Sequence, residues 1–161
     1  MNLNAVLEMS PKTWDGTGMS GVKKRTFTWR FDSPVQRIWP LLADTALLNE
    51  AAEFPKHAIE EIVQSDGSMI FIATATMGPF TFVWDDKPQN WVNNRWFRHY
   101  RYFRNGPLNF MCAQLTIEPD ESGCRADFTI EAEARNLLGK VILGTAFFSA
   151  SEKTYTRLAE D

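Results

Sequence analysis

Polar and apolar residues alternate over much of the chain, and this period of two predicts β-strands. The pattern first becomes clear after residue 23, where Phe27, Trp29 and Phe31 alternate with polar neighbours. Six further runs of β-like sequence follow, at residues 58–64, 68–77, 80–85, 95–104, 108–118 and 124–134. Short turn sequences such as Asp66-Gly67 and Asn105-Gly106-Pro107 separate most of these runs. We therefore expect antiparallel hairpins.

Helical spacing appears in three places. Ser33-Pro34 with Gln36 is typical of a helix start, and apolar residues follow at helical spacing, so we predict a helix over residues 34–43 with Ser33 as its N-cap. A second short helix is expected from residue 44 to about 52. After Asn136, a predicted N-cap, apolar residues share one broad face to Leu158, which indicates a long C-terminal helix.

This order of elements predicts an α+β fold. The apolar face of a seven-stranded sheet has to be covered by another element, and only the C-terminal helix is long enough to cover it. We expect a strongly bent antiparallel sheet that wraps around this helix and encloses a cavity. Residues 1–22 are weakly patterned, with one helical turn expected around Val6 and Leu7, and are predicted to be a leader or linker ahead of a domain at residues 23–161.

Three features carry a resemblance to a known superfamily: Ser33-Pro34-Val35-Gln36-Arg37-Ile38-Trp39, Pro88-Gln89-Asn90-Trp91-Val92 and the terminal helix. With them the chain resembles the START/polyketide-cyclase (SRPBCC) superfamily, whose members have the helix-grip fold. The resemblance implies the α+β helix-grip architecture described above. It does not imply one function, because members of the superfamily bind lipids, sterols or polyketides, and some are enzymes.

Further motifs narrow the resemblance. They lie at residues 39–49, at Arg101-Tyr102-Phe103-Arg104-Asn105-Gly106-Pro107-Leu108 and at Arg135-Asn136-Leu137-Leu138-Gly139. They are similar to uncharacterised bacterial domains, some of which are fused ahead of class III adenylate/guanylate cyclase domains. The resemblance therefore implies a cyclase or another protein as one kind of partner.

Composition restricts the partners. Of 161 residues 44% are hydrophobic and 13% aromatic, which suits a large core and equally a pocket for an apolar ligand. The net charge of −3 provides no general attraction for nucleic acid. The first residues lack the basic region of a signal peptide, and the apolar stretch at residues 141–148 is too short to cross a bilayer. We expect a cytoplasmic protein without membrane insertion and without a cofactor.

The two cysteines, Cys112 and Cys124, are predicted to lie on the two strands of one hairpin. If Cys124 faces about Glu118, Cys112 is roughly 20 Å further along the ladder at ~3.3 Å per residue. A disulfide needs Cα atoms within about 7 Å, so both thiols should be free.

Residues 95–104 carry the most chemistry in the sequence. Strand alternation puts Phe97, His99, Arg101 and Phe103 on one face, although parity alone does not say which face lines the cavity. If this face points inward, His99 and Arg101 form a polar cluster suited to a carboxylate, phosphate or enolate oxygen. The alternative is that a buried acid neutralises Arg101 or that Arg101 reaches the rim.

The same alternation predicts the other wall residues of the cavity, with Gln114 as a hydrogen-bonding residue. The predicted ligand-cavity set is Phe27, Trp29, Phe71, Ala73, Phe82, Trp84, Phe97, His99, Arg101, Gln114, Phe128, Ile130 and Phe147.

Other chemistry finds little support. Only two histidines exist, and His57, after Pro55-Lys56, is expected to be a solvated loop residue, so no Ser-His-Asp set is predicted. No His, Cys or carboxylate pattern has metal-ligand spacing. The match of residues 16–21 to G-x-G-x-x-G lacks a preceding strand, and we interpret it as coincidence.

Three functional hypotheses remain. The first is a non-catalytic module that binds a small, largely apolar molecule such as a lipid or polyketide, with or without an acidic group, as a carrier or a sensor. The second is a polyketide cyclase or dehydratase with His99 as general acid/base and Arg101 as oxyanion stabiliser. The third is a protein-interaction module.

Overall fold

The computed structural model describes residues 5–8, 21–44, 56–87 and 89–145. In these residues nine strands form one antiparallel sheet. The strands are β1 Ala5–Glu8, β2 Val22–Phe31, β3 His57–Val63, β4 Met69–Met77, β5 Phe80–Asp86, β6 Asn90–Val92, β7 Trp96–Phe103, β8 Leu108–Asp120 and β9 Gly123–Ala134. The helices are α1 Val35–Leu42 and α2 Leu137–Thr145.

The strands follow the order β1-β2-β9-β8-β7-β5-β4-β3, and β6 pairs with β7 beside this path. The chain thus returns from β9 to the first long strand, β2, and the pairing of β2 with β9 joins distant parts of the sequence. All seven predicted strands are present, with ends shifted by one or two residues. The architecture is α+β with a large antiparallel sheet and two described helices, which is consistent with a helix grip.

Two strands were not expected, so the predicted count of seven is wrong for the described chain. β1 occupies the segment in which a helical turn was expected, and it pairs with β2 from Ala5 opposite Phe31 to Glu8 opposite Thr28. β6 has only three residues and pairs Trp91 with Phe97. Such short strands give no period-2 signal, because pairing with a neighbour, and not their own pattern, holds them extended.

The predicted turns are confirmed. Their glycines adopt positive φ, and their polar side chains hydrogen-bond to nearby backbone amides. At the β3–β4 turn Gly67 has φ +82°, and the Ser68 amide donates to Asp66 Oδ1 at 2.9 Å. After β7, Gly106 has φ +84°, and a Cβ there would lie 2.8 Å from the Phe82 ring. Asn105 joins this turn to β5, since its Oδ1 accepts from the Val83 amide at 2.8 Å.

The first helix occupies the predicted place but begins differently. Pro34 is the residue that flanks α1, and no side chain caps it, so the prediction of Ser33 as N-cap is wrong. Val35, Ile38 and Trp39 are buried, and they share one apolar stripe because they lie three or four residues apart. This stripe packs on the sheet.

The cap predicted for the last helix is confirmed, because the Gly139 amide donates to Asn136 Oδ1 at 3.0 Å. Leu143 of α2 packs against Leu108 and Ala132. The remainder of the predicted C-terminal helix, from residue 146, lies outside the described residues, and so does most of the second short helix. None of the described helices has the length and apolar character to span a bilayer.

We call the sheet face that α1 and α2 cover the inner face and the opposite side the outer face. The main core lies on the inner face and includes Phe27, Trp29, Phe97 and Phe128. Burying one such ring stabilises the fold by about 2 kcal/mol relative to leaving it in water. This core occupies the part of the sheet next to α1.

Both cysteines are buried and free, as expected from the sequence. The register places Cys124 opposite Pro119, one residue from the predicted Glu118, and Cys112 opposite Glu131. They therefore remain far apart on the ladder.

Candidate functional site

The inner face of β7 carries both predicted polar residues. Phe97 is fully buried there, and the Trp39 ring of α1 meets it at 6.4 Å in an edge-on arrangement. Because alternate residues of a strand share a face, His99 and Arg101 also belong to the inner face. The parity question left open by the sequence is settled by the packing of Phe97 against α1.

An acidic residue joins these two side chains. Asp86, at the end of β5, lies opposite Arg101 in the ladder. Its Oδ1 is 3.3 Å from His99 Nε2 and 3.3 Å from Arg101 Nε, and it accepts a hydrogen bond from Trp84 Nε1 at 3.0 Å. We call Asp86, His99, Arg101 and His57 the polar cluster.

The carboxyl of Asp86 is held in its charged form. Burial opposes its ionisation, but the hydrogen bond from His99, the charges of His99 and Arg101 and the Trp84 N–H outweigh burial and lower its pKa. Of the two alternatives for Arg101, the structure thus supports neutralisation by an acid. The side chains of Asp86, His99 and Arg101 keep 15%, 11% and 12% of their surface exposed, so the polar cluster is mostly buried but still touches solvent.

His57 is the fourth member, and its predicted place in a solvated loop is wrong. It is the first residue of β3 and lies opposite Ala75, and its ring is 5.5 Å from the ring of Trp84. Burial lowers its pKa, and the positive charge of Arg101 lowers it further. The imidazole is therefore held in its neutral form.

Aromatic rings and small side chains surround the polar cluster. Trp84 and Phe103 are 5.7 Å apart, and the guanidinium of Arg101 lies 5.7 Å over the Trp84 ring. Ala73 and Ala75 are buried beside Trp84. Since alanines fill little volume, this part of the inner face differs from the densely aromatic core next to α1.

The predicted cavity residues separate into two groups. Phe27, Trp29, Phe97, Phe128 and Ile130 belong to the main core with α1. By ladder register the inner face also includes Phe71, Ala73, Phe82, Trp84, His99 and Arg101, which lie at or near the polar cluster.

The prediction that Gln114 lines the cavity is wrong. Gln114 pairs with Arg98, whereas His99 pairs with Ala113, so Gln114 faces the outer side of the sheet. Strand alternation in the sequence already grouped Gln114 with Cys112, but did not relate this group to the face of His99. Phe147 lies outside the described residues.

Sequence reasoning missed Asp86 and His57. A signal for Asp86 existed, because it lies two positions after Trp84, a predicted inner residue of the same strand, and alternate residues share a face. His57 had no such signal: β3 has few buried residues, and only its pairing with β4 puts the ring beside Trp84.

A separate cleft of about 700 Å³ opens at the start of α1 and involves none of the predicted site residues. Val35, Trp96, Ile117 and Glu118 are among the residues that line it. Among the described residues, no three His, Cys, Asp or Glu side chains are placed to hold a metal ion.

Comparison with known structures identifies the architecture. The di-domain ARO/CYC protein StfQ from the steffimycin biosynthetic pathway aligns over 86% of this chain with a TM-score of 0.57 and 12% sequence identity. A Thermobifida fusca protein aligns over 87% of this chain and 91% of its own, with a TM-score of 0.54 and 14% identity. Ara h 8.0201 aligns over 88% of this chain and its full length, with a TM-score of 0.50 and 11% identity. The chain has the fold of the START/polyketide-cyclase superfamily.

The START/polyketide-cyclase fold is all that this similarity shows, because the sequence identities are low. The alignment spans only 49% of StfQ, a di-domain protein. Models of known protein families do not match the chain, and curated protein sequences do not match it either.

Proposed function

We propose that this protein binds a small, largely apolar molecule on the inner face of its sheet, with the polar end of that molecule at the polar cluster. The observation that carries the proposal is the polar cluster itself. An aspartate, an arginine and a histidine meet within 3.3 Å on the inner face, between aromatic rings, and remain partly exposed. Convergent polar groups within an apolar wall are typical of ligand sites.

A second observation supports an apolar ligand. By ladder register Ile59, Val63 and Met69 lie on the inner face, with the carboxylate of Glu61 between Ile59 and Val63, and we call the three apolar side chains the apolar rim. They are 52%, 68% and 48% exposed. Apolar side chains grouped on the face that elsewhere forms the core favour a binding surface, because an apolar ligand would remove them from water.

The fold also supports a binding function. Ara h 8.0201 and the ARO/CYC protein StfQ have the same fold, and members of the superfamily with this fold bind lipids, sterols or polyketides. The chain would then act as a carrier or a sensor, and an associated cyclase or other protein would be the partner of a sensor.

Native mass spectrometry before and after organic extraction tests the proposal directly. We expect a co-purifying species that extraction removes, and titration of the extracted protein with the neutral fluorescent probe Nile red should restore a saturable signal. An extracted protein that gives no saturable signal would contradict the proposal.

Two matched variants locate the site. Val63→Glu places a charge in the apolar rim and should abolish Nile red binding, since burying an unpaired carboxylate is costly. Val92→Glu is the control, because Val92 is 43% exposed and pairs with Trp96 on the outer face. Equal binding by the two variants would place the probe elsewhere.

A cyclase or dehydratase is the second candidate. The Asp86 Oδ1 atom contacts both His99 and Arg101, which is the support that a general acid/base and an oxyanion-stabilising group would need. Incubation with a linear poly-β-ketone, followed by mass spectrometry, should then show loss of water with the wild type and not with His99→Gln. No difference between the two proteins would exclude this candidate.

A further inference from the structure

Strand β3 is the last strand of the sheet, and only one of its two sides is paired. Its register with β4 is unbroken from His57 opposite Ala75 to Val63 opposite Met69. Among the described residues no other strand pairs with β3. Five of its seven residues are exposed. The free side of β3 is therefore accessible, and we call it the β3 edge.

The register also shows which backbone groups the β3 edge presents. At the turn after β3 the Gln64 amide donates to the Ser68 carbonyl at 2.7 Å, so these two residues form a hydrogen-bonded pair. Such pairs recur at every second residue of an antiparallel ladder, so Ala58, Glu60 and Ile62 bond to β4. The N–H and C=O groups of the alternate residues point away from β4, and within the described chain nothing else bonds to them. These residues are His57, Ile59, Glu61 and Val63.

Two glutamates in the middle of β3 determine the charge of this edge. Glu60 lies on the outer face and Glu61 on the inner face, and both are exposed. Strand β4 has no charged residue, and neither glutamate forms an ion pair with a residue that the structure describes. The nearest basic residue along the chain, Lys56, lies before the strand. The β3 edge thus presents an uncompensated carboxylate on each face of the sheet.

This charge disfavours a second copy of the chain as the occupant of the edge. Antiparallel pairing of two β3 strands over their full length would set Glu60 opposite Glu60 of the copy, because residue 60 is the centre of the strand. Like charges that lie directly opposite each other are destabilising. A strand with two consecutive basic residues would instead place one beside each carboxylate, since successive side chains alternate between faces. Its apolar residues could meet Ile59 and Val63.

We infer that the β3 edge binds an extended segment of a partner protein, which adds a strand to the sheet and carries two consecutive Lys or Arg residues between apolar ones. Hydrogen bonds to the outward-facing backbone groups provide the affinity. Glu60 and Glu61 provide the selectivity, because they attract a basic segment and repel an acidic one. This inference does not depend on the proposed ligand site.

A fluorescein-labelled peptide, Val-Thr-Lys-Lys-Val-Thr-Val, tests the charge requirement. Fluorescence polarisation with the full chain should show saturable binding, and binding at least about tenfold weaker when both lysines of the peptide are replaced by glutamate. Glu60→Lys/Glu61→Lys should reverse this preference. Glu118→Lys/Glu121→Lys is the matched control, because it changes the net charge equally at exposed positions on and beside β8, which β7, β5 and β4 separate from β3. The control should keep the preference of the wild type.

Two N-methylated forms of the lysine peptide test whether a strand is added. In an added strand every second N–H faces β3, and the others face solvent. One form is methylated at the amides of its third and fifth residues, and the other at those of its fourth and sixth residues. One form should lose at least about tenfold in affinity, and the other should bind like the parent peptide.

Three results would overturn the inference: no binding of the lysine peptide, equal binding of the lysine and glutamate peptides, or equal affinities of the two methylated forms. The last result would show that charge attraction alone holds the peptide. These comparisons use the wild type, so they do not depend on the folding of a variant. None of these results bears on the binding of Nile red, which tests the proposed function separately.

Discussion

Two neighbouring aspartates of β5 each pair with an arginine from the β7 segment, on opposite faces of the sheet. On the outer face Arg104 donates from Nε and Nη2 to Asp85 Oδ1 at 2.9 and 2.6 Å, and the side chains are 46% and 29% exposed. On the inner face Arg101 Nε lies 3.3 Å from Asp86 Oδ1, and the exposed fractions are 12% and 15%.

The difference shows that an Asp–Arg pair has a different role on each face of the sheet. The outer pair has short hydrogen bonds in water, where such pairs add little stability. The inner pair is shared with Trp84 and His99 and lies between aromatic rings, where removing one partner leaves a charge without compensation. A one-residue step along a strand therefore separates a surface ion pair from a candidate site.

The largest expected effect comes from removing each arginine in turn. Arg101→Gln should lower the free energy of unfolding by about 2 kcal/mol or more, because a buried carboxylate, Asp86, loses a permanent counter-charge. Arg104→Gln should lower it by less than about 1 kcal/mol. Urea denaturation at pH 7 measures both, and equal losses would show that the inner pair is no more protected than the outer one.

A smaller effect is expected from Trp84→Phe. The ring contact to Phe103 can persist, but the donor to Asp86 is lost, which should cost about 1–2 kcal/mol. Trp96→Phe is the control, since Trp96 is 36% exposed on the outer face and should change stability by less than about 0.5 kcal/mol. Thermal unfolding of both variants provides the measurement, and similar shifts would indicate that the indole N–H has no special role.

The inner site should also make stability depend on pH. Because the folded-state pKa of His57 lies below the ordinary value of 6.5, the unfolded chain takes up this proton more readily than the folded one. The free energy of unfolding should be constant above pH 6.5 with respect to this group and fall as the pH drops below that value.

His57→Gln should reduce the slope between pH 6.5 and 5, measured by urea denaturation at several pH values. The slope is the relevant quantity, because loss of the ring contact with Trp84 changes stability at every pH. An unchanged slope in the variant would assign the pH dependence to other groups.

The smallest effect concerns the two thiols, which lie on opposite faces. Burial raises the pKa of Cys124 to about 11 and also raises the pKa of Cys112. Neither should react with iodoacetamide at pH 8 on the timescale of an exposed cysteine, since the thiolate is the reactive form. Rapid labelling of Cys112 alone, detected by mass spectrometry, would show that the outer face opens more easily than the inner one.

Much of this fold could be predicted from the chain alone. Seven strands and the start of α2 follow from alternation, turn residues and the Asn136 cap, which are local properties. Alternation also placed His99 and Arg101 on one face. Alternation did not predict strands β1 and β6, because short strands depend on a paired neighbour for their extended conformation.

The site was predictable only in part, for a related reason. His99 and Arg101 are two positions apart on one strand, and alternate residues of a strand share a face, so the sequence alone predicts that they lie on the same side. Asp86 meets them through the register between β5 and β7, and His57 meets Trp84 through the turns that fold β3 and β4 back along β5. The same registers decided that Gln114 faces outward.

The sequence by itself determined which residues alternate, where the chain turns and which side chains share a strand face, because these depend on neighbours within a few residues. Only the tertiary structure decided which face is inner, through the packing of α1 on Phe97. It also decided which of two adjacent aspartates meets the inner arginine. Both outcomes depend on contacts between residues far apart in the chain, and such contacts form only when the sheet is assembled.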